Sequence, residues 1–143
     1  MHHAVVVVTG ASSGVGRATA VECARRGAHV VLAARSGVRL AEVAEECRAR
    51  GGEALAVPTD VSDEYAVEAL AHAALRRFGR IDVCNAAGVG IPGRFDQVPV
   101  GQLRRVIDVN VLGPYWELVP PYRSCGARAG ASSSTSRRYS EGV

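Results

Sequence analysis

A chain of 143 residues suits one domain with a real hydrophobic core, and its 48% hydrophobic content is ordinary for a soluble globule. No apolar run approaches the roughly 18 residues of a membrane span, and the N-terminus lacks the basic flank and cleavage site of a signal peptide. The net charge of +3 comes from four arginines against one glutamate from Arg123 onward, the remainder being neutral, and four arginines without interleaved aromatics make a poor nucleic-acid site. Membrane and nucleic acid are therefore excluded as principal partners. All 17 basic residues are arginine. Cys23, Cys47, Cys84 and Cys125 form no Cys-x-x-Cys pair, and the first three sit inside apolar patterns. They read as reduced, buried small hydrophobes, which places the protein in the cytoplasm. His2 and His3 are adjacent, so on a strand they point to opposite sides; they read as a polar strand entry, and no metal site is expected.

The chain opens on Ala4 to Gly16, AVVVVTGASSGVG. The continuous valines predict a strand buried on both faces, as in a parallel sheet. Gly10, Gly14 and Gly16 then make the turn out of the strand. Lacking a Cβ, they let backbone N–H groups approach an anion and let the following helix pack closely. A strand, a glycine-rich turn and a helix at the head of a repeating βα pattern form the context of dinucleotide binding, with the pyrophosphate at the helix N-terminus. The first helix is predicted over Gly14 to Arg26, with Ala18, Val21 and Ala24 facing the sheet and Gly27 ending it. The second strand, His29 to Ala34, ends at Arg35. An acidic residue here would hydrogen-bond a ribose 2′-hydroxyl; the guanidinium instead suits a 2′-phosphate, which favours NADP(H) over NAD(H).

The second helix, Val38 to Arg50, turns Leu40, Val43, Ala44 and Cys47 inward and stops at Gly51-Gly52. The third strand, Ala54 to Pro58, leads to Thr59-Asp60-Val61. Ser62 and Asp63 are equally placed to cap the third helix, Glu64 to Phe78, which has a clear apolar face of Val67, Leu70, Ala71, Ala74 and Phe78 and a terminal Gly79. The fourth strand is Ile81 to Asn85, followed by Ala86-Ala87-Gly88. A Gly/Pro-rich loop, Val89 to Pro99, suits a substrate-side wall. The fourth helix, Val100 to Leu112, aligns Leu103, Val106, Ile107 and Asn110 on one face, which predicts a buried Asn110 in need of partners.

The spacing TGxxxGxG at Thr9 to Gly16 resembles the short-chain dehydrogenase/reductase family, over roughly residues 4 to 113. The resemblance implies a Rossmann-type doubly wound α/β fold with an incomplete parallel sheet of about four strands. It also implies hydride transfer between a nicotinamide and a small carbonyl or alcohol substrate. On the family pattern Gly10, Ser12, Ser13, Gly14, Val15 and Gly16 surround the cofactor phosphates. Asp60 and Val61 flank the adenine, and Asn85, Ala87 and Gly88 lie by the nicotinamide ribose. This chain reads NAAG where the family usually has NNAG, which removes one hydrogen-bonding side chain from beside the fourth strand. Asn110, in Asn110-Val111-Leu112-Gly113, corresponds to the asparagine that holds a water in the family's proton relay.

From Pro114 the pattern stops. Pro114, Pro120 and Pro121 are expected to break helical continuation, and the Ser/Gly/Ala/Arg-rich stretch that follows has a disordered composition. Residues 1–113 thus read as the nucleotide-binding domain and 114–143 as an irregular tail. The family's proton donor is a Tyr whose pKa is lowered by a Lys four residues on, with a Ser orienting the carbonyl. The chain has no Lys, Tyr139 is followed four residues later by Val143, and Ser132, Ser133 and Ser134 have no strand ahead of them. The expectation is a truncated or frame-shifted family member, catalytically impaired; a non-catalytic dinucleotide-binding module or an inactive truncated fragment is the alternative. Family members commonly pair through helices partly or wholly absent here, so a homo-oligomer is left open.

Overall fold

The computed structural model describes residues 4–84 and 86–118. Asn85, the tail with Cys125, Ser132 and Tyr139, the His2–His3 pair and the side chain of Cys84 lie outside the described residues. The elements alternate as β1 (Val5–Thr9), α1 (Gly14–Arg25), β2 (His29–Ala34), α2 (Gly37–Ala49), β3 (Ala54–Pro58), α3 (Glu64–Phe78), β4 (Asp82–Cys84) and α4 (Val100–Ile107). A wide π-turn, Asp108–Leu112, follows α4, and the chain stays helical over 113–118. The four strands form one parallel sheet in the order β3-β2-β1-β4. The α/β doubly wound reading therefore holds.

The period-two alternation of strands divides the valines between two cores. Val6 and Val8, with Val30 and Leu32, pack on Ala20, Cys23 and Ala24 of α1 and Leu40, Val43, Ala44 and Cys47 of α2. Val5 and Val7, with Val31 and Ala33, pack on Leu70 and Ala74 of α3. Each helix thus reaches the sheet with the face its sequence offers, with one correction. In α1 the buried positions are Gly16, Ala20, Cys23 and Ala24; Ala18 is exposed and Val21 half-buried. The phase of this helix is set at its first turn. A Cβ on Gly16 would collide with the Gly10 carbonyl, so Gly16 must face inward, and positions four, seven and eight residues on follow it.

Capping agrees with the sequence at most ends. Asp63, not Ser62, caps α3, accepting from the amides of Tyr65 and Ala66 at 3.0 and 3.4 Å. Gly27, Gly51 and Gly79 all take positive φ where helices end. β4 is shorter than expected, three residues, with Ile81 outside it and packed instead against the α3-side core.

The largest departures lie after residue 100. Of α4 no residue is buried, Leu103 and Ile107 are exposed, and Asn110 is exposed rather than buried. Among the described residues the apolar face is covered only in part: Val106 is half-buried beside the 89–92 segment, while Leu103 and Ile107 stay exposed. Pro114 does not break the helix either. In the π-turn the Gly113 amide bonds the carbonyl of Asp108, five residues back, and this wider register accommodates a proline that lacks an amide and needs room behind its ring. The continuation matters for packing. Trp116 lies against Val61, Val67 and Val109, while Glu117 is 5% exposed and its Oε2 lies 3.4 Å from the buried Thr9 hydroxyl. Glu117 Oε1 is buried without a partner among the described residues. Burial pushes the Glu117 carboxyl up from 4.5 to about 7, against a smaller opposing effect of the Thr9 hydrogen bond.

Two stability predictions follow from this packing. Gly16→Ala lowers stability by about 1–3 kcal/mol, because the added methyl meets backbone that cannot yield. Gly101→Ala, on α4 with open space around it, raises stability by up to about 1 kcal/mol. Urea unfolding measures both, and equal shifts of the same sign contradict the account. The second concerns Glu117. Its folded form holds the proton more tightly than the unfolded chain, so its contribution is most favourable below about 4.5 and is lost as pH rises to about 7. Glu117→Gln carries no such loss. By pH 8 the variant gains about 3 kcal/mol relative to wild type, compared with pH 4, an order-of-magnitude figure from the shift in proton affinity. A wild-type-to-variant difference that stays constant between these pH values overturns it.

Candidate functional site

The strand order reverses beside β1: the chain runs outward through β2 and β3, then returns to place β4 on the other flank of β1. Open α/β sheets bind ligands in the crevice outside the strand C-termini at such a reversal. Here that crevice is bounded by the turn after β1 and the 86–89 segment after β4. Gly10 has φ +66°, and a Cβ on it would lie 2.8 Å from the Ala86 carbonyl oxygen and 2.9 Å from the backbone of Ala87. The two turns are therefore in contact, and only a glycine at position 10 permits it.

The same turn opens α1. Ser13 stands at the N-cap with extended backbone, yet its side chain makes no capping hydrogen bond, and the first turn holds no acidic residue. α2 and α3, by contrast, are capped by the Ser36 and Asp63 side chains. Ser12 is half-buried, while Ser13, Gly14 and Val15 are exposed, Val15 at 76%. The first-turn amides and the positive end of the helix dipole thus face outward beside a polar, side-chain-poor rim, an arrangement that suits an anion.

Arg35 lies one residue past the end of β2, exposed and without an ion pair among the described residues. Asp60 follows β3 and is not free. Arg105 of α4 reaches across to it, 3.1 Å from Oδ2 and 3.5 Å from Oδ1, and also donates to the Ser62 hydroxyl at 3.3 Å. The Ser62 hydroxyl and amide donate to Asp60 Oδ1 at 2.7 and 3.1 Å. Burial works to raise the Asp60 pKa, but these hydrogen bonds and the Arg105 charge outweigh it, and the carboxyl is held below its ordinary value. Val61 is buried and packs on Gly113.

On the β4 side, Asn110 meets the chain twice. Its Oδ1 accepts from the Val89 amide at 2.9 Å and its Nδ2 donates to the Val89 carbonyl at 2.8 Å. The expected need for partners is met by backbone, though the residue is exposed. Ala87 is half-buried and Gly88 exposed, directly before this clamp. Thr9 Oγ1 accepts from the amides of Ala86 and Ala87 at 3.3 and 3.4 Å, tying the end of β1 to the same segment. A shallow cavity of about 220 Å³ lies between 89–92 and α4, lined by Ile91, Pro92, Gln102, Arg105 and Val106 among others. The structure thus brings Gly10, Ser12, Ser13, Gly14, Val15, Gly16, Arg35, Ala87 and Gly88 to one sheet edge, with Asp60, Val61 and Asn110 flanking it.

Three residues of this neighbourhood were not singled out from the sequence: Thr9 as a tie, Arg105 as the partner of Asp60, and Glu117. A threonine closing a run of valines is a polar group at a buried strand end, and that signal was available for Thr9. Arg105 and Glu117 are single charges on predicted helical or broken segments, which the sequence does not connect to residues more than forty positions away.

The chain matches the profile described as short chain dehydrogenase over residues 4–120, past the Pro114 at which the sequence pattern weakens. It is 41% identical over 113 residues to the uncharacterized oxidoreductase YxnA of Bacillus subtilis, covering 78% of this chain and 32% of that protein. Among solved structures it superposes at a TM-score of 0.80 and 36% identity on an alcohol dehydrogenase from Thermococcus sibiricus complexed with 5-hydroxy-NADP, covering 87% of this chain and 54% of the other. An NAD+-bound xylitol dehydrogenase superposes at a TM-score of 0.82 and 31% identity, covering 87% and 48%. The chain spans about a third of the Bacillus relative and about half of each solved chain. No helix among the described residues is long and apolar enough to cross a membrane, and none of their His, Cys, Asp and Glu side chains cluster as a metal site would require. With the βα repeat, the glycine turn and the sheet reversal in place, the chain belongs to the short chain dehydrogenase family.

Proposed function

We propose that this chain binds a nicotinamide dinucleotide at the β1–β4 edge, NADP(H) in preference to NAD(H), as the cofactor half of an oxidoreductase acting on a carbonyl or alcohol. The observation that carries the reading is the uncapped N-terminus of α1, set behind a turn in which Gly10 and Gly16 leave no room for a side chain. A cradle that a Cβ would fill, with amides facing outward, fits a diphosphate. Gly10, Ser12, Ser13, Gly14, Val15 and Gly16 would hold that group. Arg35, exposed and unpaired among the described residues, would take the 2′-phosphate. Asp60, kept ionised and aimed by Arg105 and Ser62, is a fixed acceptor for the adenine amine, with Val61 beside it. Ala87 and Gly88, and Asn85 outside the described residues, would border the nicotinamide ribose; Asn110 fixes the neighbouring backbone. The relatives' cofactors, a hydroxylated NADP in one and NAD+ in the other, leave the choice between them to such local charges.

Once bound, the nicotinamide supplies or accepts the hydride. The chain's own contribution to the proton is the weak point. It has no Lys, so no tyrosine in it gains the neighbouring ammonium that makes a phenol acidic enough to act near neutrality. We therefore assign the 143-residue chain cofactor binding without turnover of simple ketones.

Titration of nicotinamide fluorescence tests the binding. Wild type binds NADPH more tightly than NADH. Arg35→Asp loses about tenfold in NADPH affinity, the scale of one charge-assisted contact, and holds or gains NADH affinity. A wild type that prefers NADH, or an Arg35→Asp variant with unchanged discrimination, contradicts the assignment. NADPH oxidation with a panel of ketones stays at the no-protein rate; turnover above it would overturn the assignment of a binding-only chain.

A further inference from the structure

We propose that a proton on Glu117 latches residues 113–118 to the domain: with the carboxyl neutral the segment stays docked, and with it ionised the segment leaves the core and Glu117 enters water. This latch is independent of the nucleotide-binding reading, and it governs one segment rather than the folding of the whole chain.

The segment is held at few points. Gly113 and Glu117 are buried and Trp116 is half-buried, while Tyr115 and Leu118 are exposed. Trp116 rests on a small cluster of Val61, Val67 and Val109, and neither of the two cores that flank the sheet includes a residue of 113–118. Gly113 backs onto Val61, where a Cβ would lie 3.3 Å from the Val61 carbonyl oxygen. Lifting the segment therefore leaves both sheet cores closed, the condition for a local opening at lower cost than global unfolding. Against this slender apolar anchor stands an acid in the interior. Glu117 is 5% exposed, and its Oε1 meets no hydrogen-bond partner among the described residues. A neutral carboxyl tolerates such a setting, whereas a carboxylate, with two oxygens to satisfy, is penalised by it.

The charges around Glu117 give it no relief. β1 and 86–89 carry no ionisable side chain. In β4, Asp82 is engaged by the Val5 amide and Arg80, and the Cys84 side chain lies outside the described residues. Asp60 is paired with Arg105, and Asp63, Glu64, Glu68 and His72 at and along α3 are exposed. On its own helical stretch Glu117 has Arg104, Arg105, Asp108 and Tyr115 for neighbours in sequence. None of these groups shifts its proton affinity, which burial raises from 4.5 to about 7 against a smaller effect of the Thr9 hydroxyl. The carboxyl thus ionises more readily in the undocked segment than in the docked one. Docking is fully favoured below about 4.5 and loses ground as pH rises to about 7, where the loss levels off. Between pH 5 and pH 8 the ratio of undocked to docked segment rises roughly fiftyfold, the linkage value for such a shift.

Hydrogen exchange on the full chain tests the latch, because exchange reads the undocked form even where it is the minor one. After correction for the direct effect of pH on amide exchange, protection of the Tyr115 to Leu118 amides in wild type falls by more than about tenfold from pH 5 to pH 8. Protection of the α2 amides, Leu40 to Cys47, changes much less over the same range. In Glu117→Gln the Tyr115 to Leu118 protection is flat with pH, and Glu117→Leu, which also has no proton to exchange, behaves the same way. A smaller fall in wild type, an equal fall in Glu117→Gln and Glu117→Leu, or an α2 that opens in step with the segment overturns the proposal.

Discussion

Three stretches of backbone press together at the end of β1, and the site depends on that contact. The first helical turn at Gly16 lies on the carbonyl of Gly10, and Gly10 lies on the backbone of Ala86 and Ala87. Close approach of main chain to main chain demands the absence of side chains, so the glycines specify more than a turn. They fix the rotation of α1 about its axis, and with it which residues of that helix enter the core. They also fix the separation between the turn after β1 and the segment after β4, which is the width of the crevice. A sheet that reverses its strand order at this point then leaves the helix N-terminus facing an open edge.

The electrostatics of the edge come from arginines in two different situations. Arg105 is spent on Asp60: it holds a carboxylate ionised and aimed, in a network closed by Ser62. Arg35, on a strand end, has no such partner among the described residues and keeps its fork available for a ligand. The distinction is one of placement rather than residue type, since every basic residue of the chain is arginine. Within this sequence the basic groups are thus all planar, permanently charged forks, with no compact, tunable ammonium among them.

Much of this was legible in the sequence because the signals were local. The valine run, the glycine turn, the apolar faces of α2 and α3 and the helix-ending glycines each specify an element within a dozen residues, and the structure follows them. What the sequence did not disclose was tertiary. Ala18 and Ala20 of α1 are chemically alike; only the contact of Gly16 with Gly10 decides which of them faces the sheet. Leu103, Ile107 and Asn110 do share a helical stripe, but a stripe states what a helix can bury and not whether a neighbour is present to cover it. Pro114 read as a stop because proline opposes a regular i to i−4 register, and the wider turn before it is a departure that no pattern of single residues announces. The Arg105–Asp60 and Glu117–Thr9 pairings join residues far apart in sequence, and neither has a spacing to recognise.

The central claim is that a phosphate-bearing nucleotide sits where α1 begins, between the turn after β1 and the segment after β4. Amide chemical-shift mapping of the ¹⁵N-labelled chain on addition of NADPH tests it most directly. The account predicts the largest perturbations at Gly10 to Gly16, at Arg35 and at Ala87 to Gly88, with little change on the outer faces of α2 and α3. Saturable perturbations centred elsewhere, or none in a chain whose spectrum is well dispersed, would contradict it.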